Sequence, residues 1–441
     1  MKRFLILLLV VTLLLGLCAC SGGETEAPKL EGFHAGYGRA SLAGPVGTPL
    51  AGYGDGLSRL SEGILNELFA TCIAMTDDAG KTVLLYTADT ICTNTEWVED
   101  MRAAITEATG VPADCIQLTA THTHAGPDIR DSLNKESAYY KNIYLPAFVN
   151  AGKQAMEDRA PATVFSGDTL VEGLNFVRHY VMDDGNMAGD NFGDAKNHKA
   201  VKNHHEADNQ VQLIRFARQE KKDIVMINFQ AHPKLASTAA MPYGQANRKM
   251  QSSDFVGGTR EYVEANADVL FAYYQGAAGN INPLDYYILL QNTPAQTDLK
   301  AYGKALGGAV IEAMDSLTEM AAEPVLKTKQ TIFMADPKKG GEKLAMELDA
   351  VVLGNIGFVT APYEMFDTNG KQIKDGSPFK TTFVITYANG RFGYIGSDET
   401  WDYKTADGSV AYEIGALGYV TRGTGEKLAQ EYISMLKELN G

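Results

Sequence analysis

Cysteine is scarce in this 441-residue sequence, which contains only five. Cys18 and Cys20 lie at the end of an N-terminal apolar run, so the rest of the chain has only Cys72, Cys92 and Cys115. No two of these three have the Cys-x-x-Cys spacing of a zinc ribbon or redox motif, and each lies in an apolar, strand-like context. We therefore expect three buried free thiols rather than a disulfide-stabilised scaffold.

Positive charge is also in short supply. The chain has 39 lysines and arginines against 54 acidic residues, which gives a formal net charge of −15. Nucleic-acid binding depends on clustered basic side chains that contact phosphates, so an acidic chain is a poor candidate for it. We expect no nucleic-acid partner.

Long apolar runs are confined to the N-terminus. Lys2 and Arg3 precede an apolar run at 4–17, which is short for a membrane span and typical of a signal peptide. The run ends in Leu17-Cys-Ala-Cys20, which resembles the processing site of a bacterial lipoprotein. The alternative is an ordinary cleaved signal peptide in which both cysteines are incidental.

The lipoprotein interpretation sets the expected location of the protein. Residues 1–19 would be removed as a signal peptide, and Cys20 would become the lipidated first residue. Residues 20–30 are polar and would form a flexible tether. We expect a lipid-anchored protein on the bacterial cell surface, outside the cytoplasm, with its folded domain at 31–441.

No linker or repeat divides residues 31–441, so we expect one large domain. The β-rich runs at 67–76 and 81–90 predict a hairpin, and apolar residues at helical spacing predict a helix over 96–109. A strand at 117–124 would complete a strand-helix-strand crossover and a parallel strand pair. The pattern predicts an α/β fold with mixed, partly parallel β-sheets flanked by helices in one catalytic domain.

Local patterns give further expectations for the rest of the chain. The Gly-rich segment 33–56 predicts a loop with a short strand, and 136–157 predicts a helix that Pro146 bends or splits. Residues 350–361 form one apolar, strand-like run. The end of the chain predicts an amphipathic helix with a buried face, namely Leu428, Tyr432, Met435, Leu436 and Leu439.

The segment Gln117–Pro127 contains the first candidate site residues. If it is a strand, its alternation places His122 and His124 side by side on one face, and Gly126-Pro127 ends the strand just beyond them. Two imidazoles so placed suit a metal ion or a substrate carbonyl. The alternative is a pair of hydrogen-bonded histidines at a turn.

Other strand-like runs also end in a chemically capable residue. His232 follows the run at 223–231, and Glu364 follows the run at 350–361. Sites in α/β folds form at the carboxyl ends of strands, and histidine with glutamate is a known ligand combination for catalytic zinc. By contrast, we expect His204 and His205, in a polar stretch, to be solvated rather than to bind a metal.

Four stretches of the sequence resemble the catalytic domain of the neutral/alkaline, non-lysosomal ceramidase family. They are Gly36-Tyr-Gly-Arg-Ala40 with Gly44-Pro45, Thr121-His-Thr-His-Ala-Gly-Pro127, Phe229-Gln-Ala-His-Pro233 and Gly276-Ala-Ala-Gly-Asn-Ile-Asn-Pro283. The shorter motifs Pro362-Tyr-Glu364 and Gly393-Tyr-Ile395 extend the resemblance to nearly all of the mature chain. It concerns the N-terminal catalytic domain, and we expect no counterpart of the family's C-terminal immunoglobulin-like domain.

The resemblance implies a zinc-dependent amide hydrolase and a role for each site residue. One Zn²⁺ would be held by His122, His232, Glu364 and Tyr394. Three further side chains would contact a small-molecule or lipid-like amide substrate, namely His124, Arg178 and Tyr412. We expect cleavage of a ceramide-like or other N-acyl bond by metal-activated water, because bound zinc can supply hydroxide without a serine.

Asn282 departs from the family pattern. It occupies the position of the serine to which the family's catalysis is assigned, and an amide cannot serve as a hydroxyl nucleophile. It could still donate a hydrogen bond to an oxyanion, so we retain it as a candidate catalytic residue. The alternative is a surface lipoprotein that binds a ligand without turnover. A serine hydrolase is not indicated, because the sequence contains no Gly-x-Ser-x-Gly elbow.

Overall fold

The computed structural model describes residues 30–189, 200–239, 241–285, 298–405 and 408–441. The predicted signal peptide, Cys20 and all but the last residue of the tether therefore lie outside the described residues. Within these ranges, no helix combines the length and the apolar character needed to cross a membrane.

The helices of the described residues lie between and after the strands. They are α1 (Thr95–Thr109), α2 (Leu145–Glu157), α3 (Pro242–Asn247), α4 (Asp254–Asn266), α5 (Leu299–Met314), α6 (Asp367–Gly376), α7 (Tyr412–Gly415) and α8 (Thr424–Asn440).

The strands are mostly short, and they form two main sheets with several two- and three-stranded ribbons. They are β1 (His34–Ser41), β2 (Gly63–Ile64), β3 (Phe69–Thr76), β4 (Thr82–Ala88), β5 (Ile116–Gln117), β6 (Ala160–Leu170), β7 (Phe176–Val177), β8 (His179–Met182), β9 (Met187–Gly189), β10 (Ala200–Asn203), β11 (Gln210–Arg218), β12 (Asp223–Phe229), β13 (Met250–Gln251), β14 (Val269–Gln275), β15 (Ile281–Asn282), β16 (Thr318–Glu319), β17 (Leu326–Ala335), β18 (Leu344–Leu353), β19 (Ile356–Thr360), β20 (Glu364–Met365), β21 (Thr381–Ile385) and β22 (Tyr394–Ile395).

The larger sheet has the order β14-β12-β11-β6-β1-β3-β4-β5, and β16 pairs with β6. Its two ends are parallel pairs, β12 with β14 and β4 with β5, whereas the pairs between them are antiparallel. The predicted hairpin is β3–β4, and the predicted crossover is β4–α1–β5. The mixed, partly parallel α/β architecture expected from the sequence is therefore confirmed.

The second main sheet has the order β17-β18-β19-β21, with β19 and β21 parallel. The expectation of one strand-like run over 350–361 is wrong, because the chain turns inside it and forms the antiparallel pair β18–β19. Gly354 makes the turn at φ +56°, a left-handed conformation that glycine adopts without steric cost. The run still ends just before Glu364, as predicted.

The Gly-rich N-terminal segment is also more regular than expected. Residues 34–41 form the eight-residue strand β1, paired with β3 along its whole length. Gly36 and Gly38 allow the backbone of α2 to lie directly on this strand. A Cβ at either glycine would come within 2.0 Å of a carbonyl oxygen of α2. These glycines of the predicted loop therefore allow a helix to pack closely on a strand.

Both predicted helices outside the crossover are confirmed. In the first, a π-helical turn at Tyr140–Tyr144 leads directly into α2. Pro146 closely follows this π-helical turn, so the helix is distorted, though not split, where the sequence predicted a bend or a break. In the C-terminal helix α8, the buried face packs against the second sheet as predicted.

Strand β12, which leads to His232, is buried on both faces. Val225, Ile227 and Phe229 pack with residues of α4 and α5, whereas Ile224 and Met226 belong to the core that includes Phe383 of the second sheet and its neighbours. A strand fixed on both faces holds its carboxyl end rigidly, and His232 is the third residue beyond that end.

Candidate metal centre

A buried asparagine joins the two main sheets beside the site. The backbone N–H of Asn389 donates to the Leu118 carbonyl at 2.8 Å, and its Oδ1 accepts from the Leu118 N–H at 2.8 Å. Its Nδ2 donates to Gln117 Oε1 at 2.8 Å and to Asp349 Oδ2 at 2.9 Å. Asn389 thus connects the start of the dihistidine segment, through hydrogen bonds, to the second main sheet, which contains Asp349 and precedes Glu364.

The dihistidine segment is not a strand, so the alternation argument for it was wrong. Strand β5 ends at Gln117, and His122 has a left-handed backbone with φ +68°. Its N–H donates to the Thr90 carbonyl at 2.9 Å, and its ring stacks on Tyr387 with centroids 3.8 Å apart. Such a conformation costs roughly 1–3 kcal/mol for a non-glycine residue and is typical of functional sites.

Three imidazole rings nevertheless converge on one point, as the sequence predicted for His122 and His124. Nε2 of His122 lies 3.0 Å from Nε2 of His232 and 3.2 Å from Nε2 of His124. Oε2 of Glu364 lies 3.5 Å from His122 Nε2 and 3.7 Å from His232 Nε2. One nitrogen of each of the three histidines lies close enough to the other two for a single metal ion to contact all three.

Backbone carbonyls fix the tautomers of two of these rings. His122 Nδ1 lies 2.6 Å from the Ile91 carbonyl, and His232 Nδ1 lies 2.7 Å from the Ala278 carbonyl. A carbonyl can only accept, so both Nδ1 atoms are protonated and both Nε2 atoms present lone pairs to each other. Burial lowers the pKa of His122 to about 3, which keeps this ring neutral.

This arrangement of acceptors fits a cation. Oε2 of Glu364 is buried and has no hydrogen-bond donor among the described residues. Burial raises the pKa of this carboxyl to about 7 when no cation is present. Two nitrogens bound tetrahedrally to zinc at 2.0–2.1 Å lie about 3.3 Å apart, close to the observed separations. Lone pairs held this close are stabilised when a positive ion lies between them.

His124 differs from the other two histidines. Its Nδ1 is buried without a hydrogen-bond partner in the described parts of the chain, so no neighbour fixes its tautomer. The ring lies edge-on to Tyr53 at 5.1 Å. It also packs against Gly52, where a Cβ would come within 2.8 Å of the imidazole. His124 can therefore carry its proton on Nε2 and act as a donor.

Tyr394 and Glu364 are neighbours because β20 and β22 pair in parallel with these two residues in register. The Tyr394 hydroxyl accepts from Arg178 Nη2 at 3.3 Å, and its proximity lowers the pKa of the Glu364 carboxyl against the larger effect of burial. The structure thus places the predicted ligand Tyr394 at the edge of the centre, beside one candidate ligand. Its direct ligation of a metal stays a prediction.

Sequence reasoning missed Glu413, although it named the preceding residue Tyr412. Glu413 is fully buried, and its carboxylate accepts from Arg178 Nε at 2.8 Å and lies 3.3 Å from His179 Nε2. Burial alone would raise the pKa of Glu413, but the charge of Arg178 and the contact with His179 outweigh it and lower the pKa to about 2. Glu413 therefore fixes Arg178 beneath Tyr394.

A cleft of about 520 Å³ opens over the centre. Most of the predicted site residues line it, namely His122, His124, Arg178, Glu364, Tyr394 and Tyr412. The cleft also contains side chains that the sequence did not single out, among them Tyr53, Arg130, Lys234, Arg391 and Tyr419. No local pattern marks these residues, because only the fold brings their segments together.

Two predicted residues are placed apart from the cleft wall. His232 is fully buried beneath it, as a ligand behind the centre would be. Asn282 is also fully buried, in β15, where it pairs with Phe176 of β7. The preceding carbonyl, that of Ile281, accepts from the His232 N–H at 3.1 Å. Asn282 thus neighbours a ligand-bearing segment, and its catalytic role stays a prediction.

The expectation that His204 and His205 are simply solvated is wrong. Both rings are only partly exposed. His205 Nε2 lies 3.0 Å from Asp367 Oδ2, and His204 Nδ1 lies 2.7 Å from the Tyr403 hydroxyl. The polar sequence around the two histidines gives no indication of these partners, which come from distant segments of the chain.

Replacing Glu413 by glutamine tests the electrostatic support of Arg178. We expect Glu413→Gln to lower the free energy of unfolding at pH 7 by about 3 kcal/mol, because it removes one partner of a buried ion pair. The folded-state pKa lies below the unfolded value, so the stabilisation is complete above about pH 4.3 and is lost as the pH falls towards 2. Urea unfolding of both proteins from pH 7 to pH 2.5 measures this difference.

The two proteins should converge in stability at the acid end of that range. A constant difference, or none at pH 7, would contradict the assigned role of Glu413. The matched control is Glu342→Gln, which changes an exposed carboxyl outside both groups of histidines. This control should leave the unfolding free energy within about 0.5 kcal/mol of the wild type.

Of the comparisons with known proteins, the one with solved structures found matches to this chain. No family model and no curated protein sequence matches the chain. Among solved structures, neutral ceramidase from Pseudomonas aeruginosa matches with a TM-score of 0.71 and 15% identity, over 92% of this chain and 74% of the other. A ceramidase complexed with C2 matches with a TM-score of 0.69 and 14% identity, over 93% and 75% of the two chains. The chain therefore has the fold of the neutral ceramidases, which confirms the resemblance at the level of the fold.

Proposed function

We propose that the protein is a zinc-dependent hydrolase that cleaves an amide bond. The observation behind this proposal is the convergence of His122 and His232, with tautomers fixed by backbone carbonyls, on a buried oxygen of Glu364. Within the described parts of the chain, no donor reaches this oxygen. An open cleft lies directly over these atoms. The fold shared with ceramidases, which hydrolyse an amide, supports the choice of reaction.

The residues that would hold the ion are His122, His232 and Glu364, with Tyr394 completing the set. A zinc ion bound there supplies a Lewis acid and lowers the pKa of bound water to about 7. Both rings are buried, so these side chains exclude bulk water from the back of the centre, whereas Glu364 is partly exposed to the cleft. The hydrogen bonds of His122 and His232 to carbonyls keep their Nε2 atoms aimed at the cleft.

The remaining cleft residues would orient the substrate and stabilise charge. His124, with its proton on Nε2, would donate to the carbonyl oxygen of the scissile amide as negative charge develops there. Arg178 is held by Glu413 and presents a fixed positive charge behind the Tyr394 hydroxyl. Tyr412 is partly buried in the cleft wall, with its ring 6.3 Å from that of Tyr394, and would contact the amide.

The substrate is an N-acyl amide, either ceramide-like or a smaller polar compound. The fold does not decide between these, because substrate choice depends on the cleft and not on the scaffold. A ligand-binding protein without turnover is the alternative, and it rests on Asn282 alone. No contact of the described residues favours that alternative.

Removal of the metal or of His122 should abolish activity on the amide substrate. We expect no turnover after treatment with a chelator, restoration by added Zn²⁺, and background activity for His122→Ala. Asn282→Ala should retain measurable turnover, about 10²–10³-fold below the wild type, because it removes at most one oxyanion donor. The measurement is hydrolysis across matched libraries of N-acyl amides and esters.

Full activity of the chelated protein, or of His122→Ala, would overturn the proposed mechanism. If Asn282→Ala were as inactive as His122→Ala, the assumption that Asn282 is dispensable would be wrong. Asn282→Ser adds a further comparison, because it restores the family's residue. New ceramide hydrolysis by this variant would show that the cleft already accepts a lipid.

We further propose that the protein is attached to the outer face of the bacterial membrane through lipidated Cys20. The support is the sequence Leu17-Cys-Ala-Cys20 after a short apolar run. Two acyl chains anchor a protein stably, whereas one gives only marginal binding. Cys20→Ser should be recovered in the soluble fraction of cells, and the wild type in the membrane fraction. Membrane retention of Cys20→Ser would contradict lipid anchoring and indicate that the apolar run itself holds the chain.

A further inference from the structure

A second group of metal-ligating side chains lies behind the segment that contains Arg178. His204 and His205 follow strand β10, which pairs with β8. The His204 N–H donates to the His179 carbonyl at 2.8 Å. Glu399 approaches the two histidines from the short 3₁₀ helix Asp398–Asp402. None of these residues belongs to the three-histidine centre.

The distances within this group suit a metal ion. One ligand atom from each of His204, His205 and Glu399 lies within 4.8 Å of the other two. The two Nδ1 atoms are 3.3 Å apart, equal to the separation of about 3.3 Å expected for two nitrogens on a tetrahedral zinc ion. The ring planes are nearly perpendicular, at 89°, which allows both nitrogens to point at one site.

A carboxylate on the far side of His205 orients that ring. Its Nε2 lies 3.0 and 3.1 Å from the two oxygens of Asp367. Asp367 is itself fixed, because Asn280 Nδ2 donates to its Oδ1 at 2.7 Å and Asn280 Oδ1 accepts from its N–H at 2.9 Å. A carboxylate that holds Nε2–H directs the lone pair of neutral histidine to Nδ1, and carboxylate–histidine–metal arrangements of this kind are usual in metal sites.

Tyr403 completes the surroundings of the group. Its hydroxyl lies 2.7 Å from His204 Nδ1, and Glu399 is a second polar neighbour of this hydroxyl. When a cation occupies the lone pair of His204, this hydroxyl can donate to Glu399 instead. The Tyr403 ring also lies edge-on to His179 at 5.6 Å, and His179 contacts Glu413.

We propose that His204, His205 and Glu399 form a second site for a divalent transition metal. Two imidazole nitrogens and one carboxylate oxygen suit Zn²⁺ and not Mg²⁺ or Ca²⁺, which prefer oxygen ligands. Glu399 is exposed and the group borders an open cleft of about 680 Å³, so the ion can enter from solvent. Bound metal links the end of β10 to the 3₁₀ helix behind Arg178 and stabilises that wall of the active-site cleft.

Zinc stoichiometry tests this proposal separately from the proposed catalytic function. The full protein is stripped with a chelator, dialysed against Zn²⁺ and assayed for zinc per chain. We expect two equivalents in the wild type, one in His205→Ala, one in His122→Ala, and none in the double variant. Glu399→Gln, which alters an exposed side chain, should weaken the second equivalent at least tenfold in a Zn²⁺ titration. Glu206→Gln changes an exposed acid next to His205 and should leave both equivalents unchanged.

Each outcome has a definite meaning. One equivalent in the wild type that is lost in His122→Ala and kept in His205→Ala overturns the second site and leaves the proposed function intact. One equivalent that is lost only in His205→Ala supports the second site and contradicts the first. If Glu399→Gln binds zinc as tightly as the wild type does, the proposed ligand set is wrong. Should His205→Ala fail to fold, the Glu399→Gln titration still decides between these results.

Discussion

The geometry of the candidate metal centre depends on the contact between Asn389 and the start of the dihistidine segment. The candidate ligands come from two separate sheets, with His122 beyond the end of the larger sheet and Glu364 beyond the end of β19. Asn389 hydrogen-bonds to Leu118 with its backbone N–H and its Oδ1, and to Asp349 with its Nδ2. Its own left-handed backbone, at φ +53°, makes all of these contacts possible at once. If Asn389 moved, the segments that carry His122 and Glu364 would no longer be held in a fixed relative position.

Burial determines the chemistry of the centre once its geometry is fixed. Nε2 lone pairs and a carboxylate oxygen are enclosed together, and burial lowers the pKa of His122 while it raises the pKa of Glu364. Both shifts favour the neutral form of the side chain. A bound cation stabilises deprotonated ligands, so it would oppose the shift of Glu364 and reinforce that of His122. The buried Arg178–Glu413 pair differs, because each charge is matched inside the protein. Arg178 can therefore remain cationic beside the cleft.

The sequence predicted those parts of the fold and site that depend on local pattern. Periodicity placed the hairpin β3–β4, the crossover through α1 and the C-terminal helix, and the strand-end argument led to His232 and Glu364. Prediction from the sequence failed where long-range contacts override the local pattern. His122 has a left-handed backbone imposed by Thr90 and Tyr387, so its projection beside His124 was predicted for the wrong reason. The structural roles of Glu413 and Asn389 could not be predicted, because both depend on contacts between segments that are distant in the sequence.

We propose above that the Nε2 atoms of His122 and His232 and the carboxylate of Glu364 hold one metal ion. Anomalous diffraction from a crystal of the zinc-loaded protein, collected on both sides of the zinc absorption edge, tests it most directly. We expect a strong anomalous peak about 2.0–2.2 Å from each of these three ligands. A zinc-saturated crystal with no anomalous peak between the two rings, and with both rings still bound to the Ile91 and Ala278 carbonyls, would contradict it.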